Sequence, residues 1–454
     1  MPHTSTLTVA KFGGTSVANY RAMQACADIV CADPAIKVVV VSACSGVTNH
    51  LVTLASGQLS PSQRQQTLEQ IAVIQRPILD ELGAPAALAD YIEQQLVQMD
   101  RLSLQAQTSP SGAIKDSLLA LGEACSSALF TEVLQQRQQA VQCFDVRQVL
   151  RTDSHYGQAE PDLVLIASLC QQHLQPVLAT QRVVTQGFIG ADSEGHTTTL
   201  GRGGSDYSAA LLAEALAAEV LAIWTDVDGI YSCDPRLVPA ARPIAELSFN
   251  EAAEMATFGA KVLHPATILP AVRSGCAVFV GKSSEPQRGG SWIRQQLQGA
   301  PGYRAVTLRR RQTLLTVHSL NMLHARGFLA ELFAILAKHR ISVDLITTSE
   351  VSVALTLDNT GSDGCGIELI TPALRAELEA MCRLEVTENL SLVAVIGNQL
   401  ATTAGVARKV FAEIDGYNVR MICHGASAHN LCFLVANSDA DAVVQHLHKQ
   451  LIEA

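Results

Sequence analysis

Residues 6–43, TLTVAKFGGTSVANYRAMQACADIVCADPAIKVVVVSA, decide the architecture. An apolar run ends in Lys11, two glycines follow, a helical stretch comes next, and the second run is almost all valine. Strand, glycine loop, helix and strand in that order make a βαβ unit, and a near-continuous valine run predicts a parallel strand covered on both faces. The lysine precedes the glycines, so this is not the nucleotide loop GxxxxGK[ST], in which the lysine follows them. Gly13 and Gly14 let backbone N–H groups approach an anion at the start of the next helix. A bare tight turn would account for the glycines but not for a lysine ending a buried strand.

The same alternation continues outward. A helix is expected over 116–138, then the short strand AVQCFDV, then RVVTQGFIG and EVLAIWTDVDG, each an apolar strand ending in a Gly/Asp loop. Such loops gather at the carboxyl ends of a parallel sheet, where ligands bind. Between 61 and 107, Leu68, Ile71, Ile74, Ile78 and Leu82 recur every three or four residues, which predicts one apolar helix face and a surface helical pair. Pro77 is expected to kink or split it. Residues 281–302 are rich in Gly, Ser, Pro and Gln and read as a linker. Beyond it GFLAELFAILAKHRISVDLITTSEVSVALTL is repeated in plan by AGVARKVFAEIDGYNVRMICHGASAHNLCFLV, with Val419 matching Val343. Period and pattern predict two ferredoxin-like units.

Composition restricts the function. The chain has 454 residues with 48% hydrophobic, 16% charged and 4% aromatic residues and a formal charge of -10. That is the make-up of a compact enzyme of several domains, and it argues against a nucleic-acid partner, which needs clustered Lys/Arg. The twelve cysteines, scattered from Cys26 to Cys432, form no CxxC pair and no zinc spacing, so free thiols in a reducing compartment are expected. The N-terminus has no signal-peptide pattern and no apolar run reaches the roughly 18 residues of a membrane helix. No membrane partner is expected, and the expected location is the cytoplasm.

Two motifs are set aside. GKSS at 281–284 ends like a phosphate loop, but Cys276 stands where its first glycine belongs; GRGGSD at 201–206 begins like a dinucleotide fingerprint and closes on Asp206. In TTTLGRGGSDYSA (197–209), Arg202 offers the planar fork that suits a carboxylate, Ser205 is expected to cap the following helix, and Asp206 falls in its first turn. WTDVDGIYSCDPR (224–236) supplies Thr225, Asp226, Tyr231 and Arg236, a set that fits a nucleotide base and polyphosphate; a plain turn accounts only for Asp228 and Gly229. FGAKVLHPAT (258–267) adds Lys261, with His264 read as structural. Glu123, in the apolar helix GEACSSALF, needs a partner if buried, and a substrate ammonium would serve.

KFGGTSV, VVVVSACSGVTN, GEACSSALF, TQGFIG, TTTLGRGGSDYSAALLAEAL, TDVDGIYSCDPR and FGAKVLHPAT occur in an order that resembles the aspartokinases, of the amino acid kinase fold. The tail, in HSLNMLHARGFLAELF and ISVDLITTSEVSVALTLD, is similar to the lysine-sensitive, single-function branch of that family, with two ACT modules of βαββαβ plan. The resemblance covers essentially the whole chain. It implies a catalytic domain over 1–295, a first ACT module over 303–385, and a second over 386–454 that shares the 303–312 strand. It implies transfer of the γ-phosphoryl group of ATP to the side-chain carboxylate of L-aspartate, the first step toward lysine, threonine, methionine and isoleucine. Since the chain stops at the second module, no fused dehydrogenase is expected.

The resemblance also implies roles. Lys11 faces the transferred phosphoryl group with the Gly13 and Gly14 amides, and Asp206 orients Lys11 and the substrate. Arg202 forks the aspartate α-carboxylate, Glu123 takes its ammonium, and Ser42, Thr48, Phe188 and Ser205 line that pocket. Thr225, Asp226, Tyr231, Arg236 and Lys261 hold ATP, and Mg²⁺ rests on phosphate oxygens and water, with no protein-built metal site. Met322, Phe328, Leu329, Val343, Asp344, Ser349 and Glu350 match the positions that bind the inhibitor L-lysine, although the apolar members equally suit module core. In the second repeat Arg420 replaces Asp344 and Ala426 replaces Glu350, so that module is expected to brace the first. The implied assembly is a homodimer through the ACT modules, or a dimer of such dimers. Cys44 and Cys233 stand in these motifs with no role beyond packing. A kinase for glutamate or N-acetylglutamate is the sister reading, and Glu123 discriminates, since an N-acetylated substrate has no ammonium. A non-catalytic amino-acid sensor would not need Lys11, Arg202 and Asp206.

Overall fold

The structure, a computed structural model, describes residues 7–201, 203–259, 263, 265–295, 297, 302–322, 326–358 and 369–453. By contacts the chain forms two units, one of Met1–Ile230, Pro243–Ala252 and Lys261–Leu297, the other of Tyr231–Arg242, Ala253–Ala260 and Gln298–Ala454.

The first unit holds strands β1 (Thr8–Phe12), β2 (Ile36–Val41), β3 (Val141–Phe144), β4 (Arg182–Gln186), β5 (Ile189–Ala191), β6 (Thr197–Thr199), β7 (Val220–Thr225), β8 (Glu246–Ser248), β9 (Ala277–Lys282) and β10 (Gly290–Arg294). Eight of them make one sheet in the order β3-β4-β2-β1-β7-β9-β10-β8, parallel at every pairing except β9 with β10. β5 and β6 form a separate hairpin. The expected linker at 281–302 therefore begins as sheet. β9 runs to Lys282 and β10 folds back on it, because the Gly289–Gly290 turn lets two strands pair where composition alone suggested a spacer.

Helices α1 (Tyr20–Ala32), α2 (Val47–Ala55), α3 (Pro61–Glu81), α4 (Ala86–Thr108) and α5 (Gly112–Gln136) cover one face of the sheet. Strand side chains alternate between faces. Ala10 and Phe12 thus enter the core with Met23, Leu51, Ile71, Met99, Leu129 and Phe130, while Lys11 points to the opposite face. α3 passes through Pro77 unbroken to Glu81. The α3–α4 pair is not a surface appendage, since Leu68, Ile71, Ile78, Ile92, Leu96 and Leu102 are all buried in that core. By length and composition α5 is apolar enough to cross a membrane, contrary to the sequence expectation. It is a core helix, with 72% of its most apolar window buried.

The chain continues through α6 (Leu163–Leu169), a π-turn, and α7 (Gln175–Leu178) to α8 (Gly204–Ala215), which packs under β1 and β7. α9 (Phe249–Thr257) and α10 (Pro265–Ser274) follow.

The second unit contains β11 (Tyr303–His318), β12 (Ser342–Thr348), β13 (Ser352–Asp358), β14 (Arg383–Gly397), β15 (Met421–His424) and β16 (Asn430–Ala436), with α11 (Phe328–Lys338), α12 (Pro372–Met381), α13 (Val406–Ala412) and α14 (Ala440–Leu451). Its six-stranded antiparallel sheet has the order β12-β13-β11-β14-β16-β15. β11 pairs with β14 along nearly its full length, so the front of β11 lies beside the second repeat and its rear beside the first. Each repeat has its own core, one around Leu315, Leu332, Val353 and Leu378, the other around Val393, Val410, Phe433 and Val444. Residues 231–242 belong to the second core, where Cys233 and Val238 are buried.

Every described cysteine is a free thiol. Burial pushes the Cys44 and Cys233 thiols up to about 12, which suits packing and not nucleophilic chemistry.

Candidate active site

Lys11, the penultimate residue of β1, lies at the carboxyl edge of the sheet and is 8% exposed. Its Nζ lies 2.5 Å from Asp206 Oδ1. Asp206 belongs to the first turn of α8, where the helix dipole favours a carboxylate. The expected Ser205 cap is not formed. Gly203, at φ 75°, is the capping residue, and Ser205 is the second residue of the helix. A left-handed residue admits the chain at that angle without a side-chain cap. Ser205 instead packs on Gly187, where an added Cβ would fall 2.7 Å from the Ser205 Cβ. Phe188 takes φ 72° and gives its N–H to Ser208 Oγ at 3.0 Å, so a strained residue turns its ring onto the start of α8.

The two glycines differ. Gly13 donates its N–H to the Trp224 carbonyl at 3.0 Å, tying the loop to β7. It is therefore not the free phosphate donor expected, because the sheet edge takes that N–H first. Gly14 N–H has no acceptor among the described residues. A Cβ on Gly14 would sit 2.8 Å from the Ala43 carbonyl, so the glycine is required for the loop to touch the end of β2.

Glu123 reaches the same edge from α5. It is 3% exposed; Oε1 accepts the Ala43 N–H at 3.1 Å, and the buried Oε2 has no hydrogen-bond partner among the described residues. Burial pushes its carboxyl up to about 8, against the Ala43 N–H and the nearby Lys11 charge, which pull it down. Ser42 follows β2, its carbonyl held by Ser126 Oγ at 2.8 Å, and Thr48 lies in the first turn of α2. Lys11, Asp206, Glu123, Ser42, Thr48, Phe188 and Ser205 all sit on elements at this end of the sheet. Arg202 and Lys261 lie outside the described residues.

Beside β7 a cavity of about 180 Å³ is lined by Thr15, Thr225, Asp226, Lys282, Ser283 and Ser284, among others. The set-aside GKSS stretch is thus part of the site. Lys282 pairs with Thr225 across the sheet, and Ser283 Oγ meets Ser16 Oγ at 2.7 Å. The missed signal was parallel pairing of β9 with β7, which local spacing cannot show. Thr225 Oγ1 donates to Asp226 Oδ1 at 3.2 Å. Tyr231 and Arg236 belong to the second unit, and Arg236 forks Asp234 at 2.7 and 3.0 Å. Among the described residues no three His, Cys, Asp or Glu side chains cluster as metal ligands.

In the second unit Ser232, His448 and Glu453 line up at 2.8 Å spacings like a hydrolase triad. Ser232 is 1% exposed and already accepts the Arg242 N–H, so this line fastens residues 231–242 to α14. Of the proposed effector residues, Met322, Phe328 and Val343 pack against the first repeat's core. Asp344 meets Arg309 at 2.8 Å. Leu329, Ser349 and Glu350 are exposed, the last two in the β12–β13 turn.

A lysine–aspartate pair at the carboxyl ends of a parallel sheet, beside a donor loop, is a phosphotransferase layout. Residues 6–282 match the amino acid kinase family and residues 393–451 the ACT domain. The chain belongs to the amino acid kinase family, in its aspartokinase branch, being 56% identical over 449 residues to the lysine-sensitive aspartokinase 3 of Escherichia coli (strain K12), across 99% of this chain and 100% of that one. It is 32% identical to an aspartokinase of Chlamydia pneumoniae, across 98% of each. It superposes on the crystal structure of E. coli aspartokinase III in complex with aspartate and ADP (R-state) with TM-score 0.90 at 56% identity, covering 98% of this chain and 99% of that one. For the complex with lysine and aspartate (T-state) the TM-score is 0.82 at 55% identity, over the same shares.

Proposed function

We propose that this enzyme moves the γ-phosphoryl group of ATP onto the side-chain carboxylate of L-aspartate, giving 4-phospho-L-aspartate and ADP, and is feedback-inhibited by L-lysine. The observation that carries the reading is the Lys11–Asp206 pair at 2.5 Å beside a buried Glu123 whose Oε2 has no partner among the described residues. The acceptor carboxylate, with a pKa of about 3.9, is ionised at neutral pH and needs no general base. The task is to bring two anions together, so positioning and charge neutralisation dominate. Lys11 neutralises the transferred group, with the Gly14 N–H beside it. Asp206 holds the Lys11 ammonium in place. Glu123 takes the substrate ammonium and Arg202 its α-carboxylate, with Ser42, Thr48, Phe188 and Ser205 around them. Thr225, Asp226 and Lys261 hold the nucleotide.

The described residues offer no carboxylate cage for Mg²⁺. The ion, when bound, neutralises phosphate charge and rests on phosphate oxygens and water. Cytoplasmic residence accords with the free thiols. The ACT modules are the proposed homodimer contact, to be tested by light scattering. The activity test is ADP release with aspartate, glutamate or N-acetylglutamate, each with and without lysine or threonine. Aspartate-dependent turnover inhibited by lysine is expected; turnover with N-acetylglutamate alone would replace the reading.

A further inference from the structure

Asp116 is 0% exposed on α5, seven residues before Glu123. At 3.6 residues per turn the two carboxylates share a helix face. Oδ2 accepts the N–H of Gly157 at 2.9 Å and the N–H of Thr199 at 2.8 Å, and Oδ1 accepts the Thr199 hydroxyl at 3.0 Å. A buried carboxylate is costly unless it is hydrogen-bonded, and these three donors reach it from two separate segments, the Gly157 loop and the end of β6. Thr199 ends β6, three residues before Arg202. Gly201, at φ 76°, packs so closely on the other loop that an added Cβ would stand 3.1 Å from the Gly157 carbonyl. The two backbone segments that Asp116 grips are therefore braced against each other at Thr199–Gly201, the residues just before Arg202 in the sequence.

We propose that Asp116 is a positioning residue for the acceptor, fixing the spacing between Glu123 and the Thr199–Gly201 segment, which Arg202 follows in the sequence. A single amino acid then meets its ammonium grip and its α-carboxylate grip together. This rests on the reading of Glu123 and Arg202 as those grips. Asp116 touches no substrate itself. Its carboxylate acts as a hydrogen-bond hub, and an amide can replace it. Asparagine turns its carbonyl to the two N–H groups and its NH₂ to the Thr199 hydroxyl, which also accepts.

The test is steady-state kinetics with both substrates varied, on full-length Asp116→Ala, Asp116→Asn and Thr199→Val, with thermal melts alongside. For Asp116→Ala, KM for aspartate rises about tenfold or more while KM for ATP stays within about twofold. Asp116→Asn stays within about threefold of wild type, and Thr199→Val raises KM for aspartate by roughly two- to fivefold. The inference is overturned if both KM values rise together, if only the melting temperature falls, or if Asn is as damaging as Ala. Should the Ala variant not fold, an unmoved KM in Thr199→Val overturns it. Absence of aspartate-dependent turnover in the wild type would overturn the underlying reading as well, a result distinct from normal turnover with unmoved KM.

Discussion

The Arg309 guanidinium lies 2.8 Å from the Asp344 carboxylate, with 15% and 9% of the two side chains exposed. Asp344 was expected to receive a cationic effector, and here an internal cation already faces it. On the proposal that Asp344 receives the ammonium of lysine, that ammonium replaces this contact. Taking the cation from a largely buried carboxylate raises the carboxylate's demand for another. Arg309→Met is therefore expected to lower the lysine concentration for half-inhibition by about three- to tenfold, measured by ADP release across a lysine titration. A higher requirement would show that Arg309 itself holds the effector.

Glu123 predicts a pH signature. Burial holds its carboxyl up near about 8, so the empty site keeps it mostly protonated at neutral pH. A substrate ammonium favours the ionised form and drives the proton off. KM for aspartate should fall as pH rises from about 6 to about 8, and calorimetry in buffers of different ionisation enthalpy should show proton release on binding. The stability effect has the opposite sense. A carboxyl raised above its unfolded value contributes stability that is present below the ordinary carboxylate range and is lost as pH rises through about 8. Glu123→Gln should thus gain in melting temperature relative to wild type at pH above about 8 and not near pH 5. The same variant should raise KM for aspartate by about 10- to 100-fold.

Lys11 and Asp206 predict a split between chemistry and binding. Lys11→Met removes the positive charge facing the transferred group, so kcat should fall by about a thousandfold with KM for aspartate little changed. Asp206→Asn keeps the shape but loosens the Lys11 ammonium, and should fall by about a hundredfold. Calorimetric lysine binding should survive both. Its loss would mean that the fold, not the charge, had been damaged.

Much of this was legible in the sequence for a physical reason. Lys11 at the end of β1, the parallel valine strand and the first-turn Asp206 are local patterns, set by strand and helix periods within a few residues. What the sequence hid depends on distant partners. Gly13 and Gly14 look alike in the chain, and the Trp224 and Ala43 carbonyls, which come from distant parts of it, separate their roles. Asp116 looks like one more helix polar residue until Gly157 arrives from a loop and Thr199 from the end of β6. The Arg309–Asp344 contact joins β11 to β12, which are not sheet neighbours. The tract at 231–242 reads as a loop of the catalytic part, yet its apolar residues are core in the second unit.

The GKSS stretch supplies the last prediction. Parallel pairing of β9 with β7 sets Lys282 beside Thr225, in a cavity they share with Asp226, Ser283 and Ser284. Lys282 Nζ lies 2.5 Å from Glu285 and 3.8 Å from Asp228, which hold it in place without covering it. A cation so placed attracts nucleotide phosphate, while the Ser283–Ser16 contact at 2.7 Å links this strand end to the glycine loop beside Lys11. The two residues should therefore fail differently. Lys282→Ala raises KM for ATP by about tenfold and leaves KM for aspartate unmoved. Ser283→Val, which breaks the hydroxyl contact and crowds Ser16, lowers kcat by about tenfold with a smaller change in either KM. Initial-rate kinetics with each substrate varied separates the two, and an aspartate-specific defect in Lys282→Ala would remove this lysine from the nucleotide end of the site.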